Sequence, residues 1–189
     1  MRSNTQKNLI RMAQMGMLAA VAIVLMAFVR IPIIPAAPFL EYDMADIPIL
    51  IAAFLFGTGP ALAILFVDSV IQAFLFGGNG WVGLIMHFVA SGLLVGLVSV
   101  FYHRRHKLSD TIIGMVLGTL AMTAAMIPMN YIFTVHFFGT PKAAVDALML
   151  PGIIPFNLIK AGLNSIISGI VFKALTPFLS KNSQMVKPV

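Results

Sequence analysis

The sequence contains no cysteine among its 189 residues, which excludes a disulfide framework, a thiolate nucleophile and a cysteine-ligated metal. Charge is scarce as well. Asp and Glu number 6 and Lys and Arg 12, together 10% of the chain, against 60% hydrophobic residues; a globular protein carries about 25% charged residues. A soluble domain of this length could not cover such a composition with polar surface, so the chain is an integral membrane protein. Three catalytic signatures are also missing. There is no G-x-x-x-x-G-K-[ST] phosphate loop and no G-x-S-x-G elbow, and none of His87, His103, His106 and His136 falls in an H-E-x-x-H motif. ATP hydrolysis by a phosphate loop and the zinc and serine chemistries of those motifs are therefore not built in, and no enzyme is indicated.

What is present is a series of apolar runs, at 9–29, 47–56, 61–76, 81–102, 111–138 and 153–179. A membrane-crossing helix needs about 20 apolar residues, so the second run is short for a span. The first is longer than a signal-peptide core and lacks a cleavage site after it, and is read as a retained helix. Between the runs stand "RIPIIPAAPFLEYDMAD", stiffened by Pro32, Pro35 and Pro38, then "GTGP", "GGNG", "HRRHKLSD" and "GTPKAAVDALMLPG". The first and last are read as loops, "GTGP" and "GGNG" as breaks that end a run and "HRRHKLSD" as a cytoplasmic charge cluster, with Asp46 and Asp110 as helix N-caps.

The cations cluster at three places: Arg2, Lys7 and Arg11; Arg104, Arg105 and Lys107; and Lys173, Lys181 and Lys187. Six spans put all three clusters on one side, which the positive-inside rule makes cytoplasmic, with both termini there. Glu41, Asp43, Asp46 and Asp146 fall on the other side with Arg30 and Lys142. The formal net charge of +6 is thus topological and suits an anionic lipid leaflet, not nucleic acid. The expected fold is all-α: one domain, a six-transmembrane-helix bundle with an outward-facing ligand cavity.

Polar residues inside the runs mark that cavity. Asn157, Lys160, Asn164 and Ser168 share one helix face by their spacing of three and four. A lysine inside a lipid-spanning helix costs roughly 2.5–3.5 kcal/mol on insertion scales, so it faces a cavity or a partner. Asn130 and Thr134 form a similar pair in the fifth run. Asp68 with Gln72, and His87 with Ser91, are read first as interhelical hydrogen bonds that hold the bundle together. Asp68 is also a candidate ion-pair partner for Lys160. Phe39, Tyr42, Trp81 and Tyr131 fit either an interfacial aromatic belt or a stack on a flat ligand. The first run carries Ala13, Gly16, Ala19, Ala20 and Ala27, with Gly16 and Ala20 in small-x-x-x-small spacing that permits close helix approach.

Two stretches carry a resemblance to a known family: "YDMADIPILIAAFLFGTGPALAI", with its D-x-A-D-I-P head and G-x-G-P break, and "PFNLIKAGLNSII" near the C-terminus. Together with the length and the six runs, they resemble the riboflavin-specific S component of energy-coupling factor (ECF) vitamin transporters. The resemblance implies a bacterial plasma-membrane subunit that captures riboflavin from outside and needs no cofactor. A separate transmembrane coupling subunit and two ATPase subunits would then supply the energy. It further implies that Asn130, Asn157, Lys160 and Asn164 hold the polar edges of the flavin, with Thr134, Asn79 and the loop residues Leu40, Glu41 and Tyr42 beside them. Gly16 and Ala20 would dock on the coupling subunit. Two other readings stand beside it: an S component for thiamine or biotin, and a small membrane enzyme for lipid headgroups using Asp68 or His87.

Overall fold

The computed structural model describes residues 4–182; Arg2 and Lys187 of the basic clusters lie outside them. Helix α1 (Asn4–Phe28) leads into a small antiparallel hairpin, β1 (Ile31–Pro32) and β2 (Glu41–Tyr42), in which Ile31 pairs with Tyr42 and Pro32 with Glu41. Helices α2 (Asp46–Phe56), α3 (Thr58–Leu75), α4 (Gly80–Arg105) and α5 (Leu108–Met129) follow. A π-helical turn (Asn130–Val135) extends α5, the short helix α6 (Lys142–Leu148) and a second π turn (Met149–Ile153) come next, and α7 (Ile154–Asn182) closes the bundle.

Among the described residues five helical stretches are long and apolar enough to cross a membrane, and α2 is not one of them. Five of the six expected runs form helices of that length, and the second forms a helix of 11 residues, which rises about 16 Å, roughly half a hydrocarbon core. Helix α2 sits inside the others: residues 46 to 54 are all buried. A helix apolar on every side has no solvent or lipid face to offer, and this one packs on α1, α3, α4 and α7. Its Ile49, Leu50, Ala53 and Phe54 form one core with Ala22 and Met26 of α1, Leu65 of α3, and Leu94, Val98 and Tyr102 of α4. Phe54 closes that core, with ring centroids 5.1 Å from Tyr102 and 4.7 Å from Phe172 of α7. Gly57, at φ 89°, reverses the chain between α2 and α3 where a side chain would be strained.

Three local expectations are corrected. Asp46 is the first residue of α2, behind Ala45, and no side chain caps that end. Asp110 lies in the first turn of α5, which starts at Leu108 after Lys107. The stretch 139–152, expected as loop, contains α6 and most of the second π turn.

Helices α4 and α5 touch most closely, through a G-x-x-x-G pair at Gly114 and Gly118. A β-carbon on Gly118 would lie 2.9 Å from Leu94 Cδ1 and 3.1 Å from the Leu94 carbonyl, and one on Gly114 2.8 Å from Phe101 Cβ. Gly16 of α1, by contrast, has nothing within 4 Å. Overpacking a close contact costs about 1–3 kcal/mol. Gly118→Leu is accordingly expected to lower the apparent melting temperature of the detergent-solubilised protein, and Gly16→Leu to leave it unchanged or raise it; equal midpoints for the two variants would contradict this packing.

Candidate functional site

A cavity of about 570 Å³ opens at the end of the bundle away from Arg104, Arg105 and Lys107. It is lined by the end of α1, the hairpin, the α3–α4 turn, the end of α5 and the start of α7. The half-length α2 explains its place: the interior that α2 fills at the basic end is left open at the other.

The floor is a buried polar network between α7 and the segment 42–47. Lys160 Nζ lies 2.6 Å from Asp43 Oδ2, and both residues are buried. Asp43 Oδ1 accepts the Ala45 N–H at 3.1 Å. Burial opposes the charge on Asp43, but the Lys160 ammonium outweighs it and holds the carboxyl below its ordinary range. Asn164 Nδ2 donates to the Asp43 carbonyl at 3.2 Å and to Asp46 Oδ2 at 3.3 Å, while Asn164 Oδ1 accepts the Tyr42 hydroxyl at 2.8 Å. Ser168 Oγ donates to the Asn164 carbonyl and to that of Ile47.

The α7 stripe is therefore divided. Asn157 and Lys160 line the cavity, whereas Asn164 and Ser168, on the same face one and two turns further on, are fully buried against the head of α2. Asn157 Nδ2 donates to the Ile153 carbonyl at 2.8 Å, and Asn130 Nδ2 to the Met126 carbonyl at 2.8 Å. Each asparagine thus uses one of its two amide N–H groups and keeps the other together with its carbonyl oxygen, and Asn130 Oδ1 accepts from Thr134 at 3.2 Å. Lys160 has three donors and shares one with Asp43. The polar content of the cavity thus combines a cationic donor with amides that can both donate and accept.

Of the residues singled out from the sequence, Asn130, Thr134, Asn157, Lys160, Leu40, Glu41 and Asn79 line the cavity. Tyr42 and Asn164 do not; they bond each other beneath it. The partner of Lys160 is Asp43 and not Asp68, which is buried in α3. Gln72 and His87, read as bundle-holding residues, also line the cavity. His87 Nδ1 is 2.9 Å from Ser69 Oγ, so it serves the bundle too. Trp81 packs edge-on against Phe133 and Phe137, and Tyr131 donates to Asp146 at 2.8 Å; neither lines the cavity. Gly16 and Ala20 are exposed on α1.

Sequence reasoning passed over Arg30, Phe76, Met86, Met122, Met126 and Phe156, which supply much of the wall and rim. Arg30 had a signal, being a cation at the end of the first apolar run. Its Nη1 donates to the Phe76 carbonyl at 3.0 Å and lies 3.6 Å from Glu41 Oε2, so it joins α1, the α3–α4 turn and the hairpin. That turn holds Asn79 at φ 64° between Gly77 and Gly80, also at positive φ, a conformation that asparagine tolerates better than most side chains.

The family model for the substrate-specific component of ECF transporters matches residues 10–172. The chain is 32% identical over 189 residues to riboflavin transporter RibU of Streptococcus thermophilus, covering 95% of this chain and 87% of that protein. It is 26% identical to riboflavin transporter FmnP of Bacillus subtilis, covering 90% of this chain and 94% of that one. A solved structure of the S component of a bacterial ECF transporter superposes with a TM-score of 0.77 at 28% identity, over 92% of this chain and 98% of the other. With the family model spanning most of its length and the fold shared, the chain belongs to the substrate-specific components of ECF transporters.

Proposed function

We propose that this subunit binds riboflavin from outside the cell and hands it to the cytoplasm as part of an ECF uptake transporter of a bacterial plasma membrane. The observation that carries the reading is the cavity floor, where Lys160 and the carboxamide oxygens of Asn157 and Asn130 meet apolar walls, taken with the relatives named as riboflavin transporters. The volume of about 570 Å³ lies in the range of small-molecule sites, about 300–1,000 Å³.

The chemistry suits a flavin. Isoalloxazine is a flat apolar body with one pyrimidine-like edge on which carbonyl oxygens alternate with an N–H. Lys160 donates to a carbonyl, and an asparagine oxygen accepts the N–H between carbonyls. Phe39, Phe76, Phe156 and the methionines give the ring an apolar, polarisable sleeve. Glu41, Asn79 and Thr134 at the mouth offer acceptors to the hydroxyls of the ribityl chain. No resident cofactor is required.

In the membrane, the basic end of the bundle is cytoplasmic under the positive-inside rule, with both termini on that side. The cavity then faces outward. Membership of the ECF family implies that energy comes from a coupling subunit and two ATPase subunits, consistent with the missing phosphate loop. The exposed Gly16 and Ala20 of α1 form the flat face on which the coupling subunit docks.

Titration of the purified protein with riboflavin is expected to give saturable quenching of flavin fluorescence. An absence of response, with saturation by thiamine or biotin instead, would overturn the ligand assignment. Losing one buried polar partner costs about 1–3 kcal/mol, so Lys160→Met and Asn157→Leu should each weaken binding about tenfold or more; wild-type affinity in both would remove these residues from the site. Asn164→Ala, like Lys160→Met but unlike Asn157→Leu, should lower the apparent melting temperature along with affinity, because buried partners are left unpaired: Tyr42, Asp43 and Asp46 in the first case and Asp43 in the second. Gly16→Leu should leave riboflavin binding by the isolated subunit intact and abolish uptake in cells that hold the other subunits, and undiminished uptake would place the docking face elsewhere.

A further inference from the structure

A second cavity, of about 840 Å³, lies at the basic end of the bundle between the start of α5 and the second half of α7. Its walls are apolar: Phe54 and Phe172 at the back, Met115 above, and Ile112, Ile166 and Ile170 along the open side. Those three isoleucines are 51%, 59% and 64% exposed, so the groove opens sideways, toward the acyl chains of a surrounding bilayer. At its polar end stand Lys107 and Lys173, both exposed, with His106 beside them. No carboxylate lines it. Helix α5 begins there at Leu108, where the N–H groups of its first turn add positive potential, offset in part by the Asp110 carboxylate of the same turn, which lies outside the groove lining. Thr111 and Thr176 bond the carbonyls of Lys107 and Phe172 one turn back, which leaves recognition of an anion to the two lysines and the helix end.

We propose that this groove is a binding site for an anionic phospholipid, with the headgroup phosphate between Lys107 and Lys173 and one acyl chain along Ile112, Ile166 and Ile170. Charge complementarity selects the occupant. A free anion would gain nothing from the apolar walls, and an uncharged lipid would leave both cations without a partner. Lysines at the membrane surface attract anionic headgroups, and basic pockets between membrane helices hold them. Long lysine side chains also reach the headgroup layer while their methylenes stay in apolar surroundings. The site shares no residue with the cavity at the other end, so it stands whether or not riboflavin is the transported ligand.

The test uses the full chain, delipidated in detergent and titrated with mixed micelles of phosphatidylglycerol or of phosphatidylcholine carrying the same acyl chains, with bound lipid counted by native mass spectrometry. The wild-type protein is expected to retain phosphatidylglycerol selectively. The double variant Lys107→Gln/Lys173→Gln should lose that retention by roughly 25-fold, at about fivefold per lysine. Arg104→Gln is the control: Arg104 belongs to the same basic cluster but lies over Phe101, outside the groove, and its loss should leave retention unchanged. Equal retention of the two lipids by the wild type, undiminished phosphatidylglycerol binding in the double variant, or an equal loss in Arg104→Gln would each overturn the site.

Discussion

The ion pair between Lys160 and Asp43 is the contact on which the arrangement of the ligand-binding end depends. Taking an ammonium and a carboxylate out of water costs several kcal/mol per ion, and mutual attraction offsets it only when the remaining hydrogen-bonding capacity is also met. On the Asp43 side it is met from the chain itself, since Asp43 takes the Ala45 N–H as well as Lys160 and its carbonyl takes Asn164, while Lys160 keeps its further donors at the cavity. The pair joins positions 117 residues apart. It sets the height of α7 against the hairpin and the head of α2, and thereby the depth of the cavity floor. Removing one partner would leave the other charged and buried, at a cost of about 3–5 kcal/mol, so the two residues are constrained together.

The second constraint is the length of α2. A full-length sixth helix in the same place would fill the interior from one end to the other. Because α2 stops at the depth of Asp46, the five long helices enclose a solid core at the basic end and a hollow at the opposite one. The point where α2 begins also has an electrostatic role. Asp43 and Asp46 stand at its N-terminus, where the unpaired N–H groups favour negative charge, and those carboxylates in turn favour the ammonium of Lys160. A short helix thus provides both the space and the field for a polar floor beneath an apolar pocket.

Run length and charge revealed the long helices, because a bilayer imposes about 20 apolar residues on any helix that crosses it. The short α2 could be suspected for the same reason. Helical spacing correctly grouped Asn157, Lys160, Asn164 and Ser168, since i+3 and i+4 neighbours share a face whatever surrounds them. It could not show that the face crosses a boundary: over 11 residues it advances about 16 Å, from the hollow to the packed side of α2. Nor could it reveal Asp43 as the partner of Lys160, because spacing reports only neighbours on one helix. Asp68 was the more conspicuous acid, sitting inside an apolar run. Helix α6, with 7 residues between Pro141 and the second π turn, is too short to display a period. The G-x-x-x-G of Gly114 and Gly118 was passed over in favour of Gly16 and Ala20, because small-residue spacing does not say which face meets a neighbour.

The same physical chemistry divides the cavity end into a buried part and a solvent-facing one. Floor contacts are buried, and each broken bond there leaves a polar group without water. Rim contacts are of another kind. Arg30 reaches Glu41 at 3.6 Å with side chains 31% and 46% exposed, and exposed pairs of this sort contribute about 0–1 kcal/mol. Water can replace either partner at little cost. Glu41 belongs to the two-residue strand β2, and the Phe76 carbonyl to a turn of positive-φ residues, so neither element is held by an extensive hydrogen-bond ladder. Burial grades floor and rim accordingly, with Lys160 and Asp43 deep in the network and Arg30 and Glu41 at its wet edge.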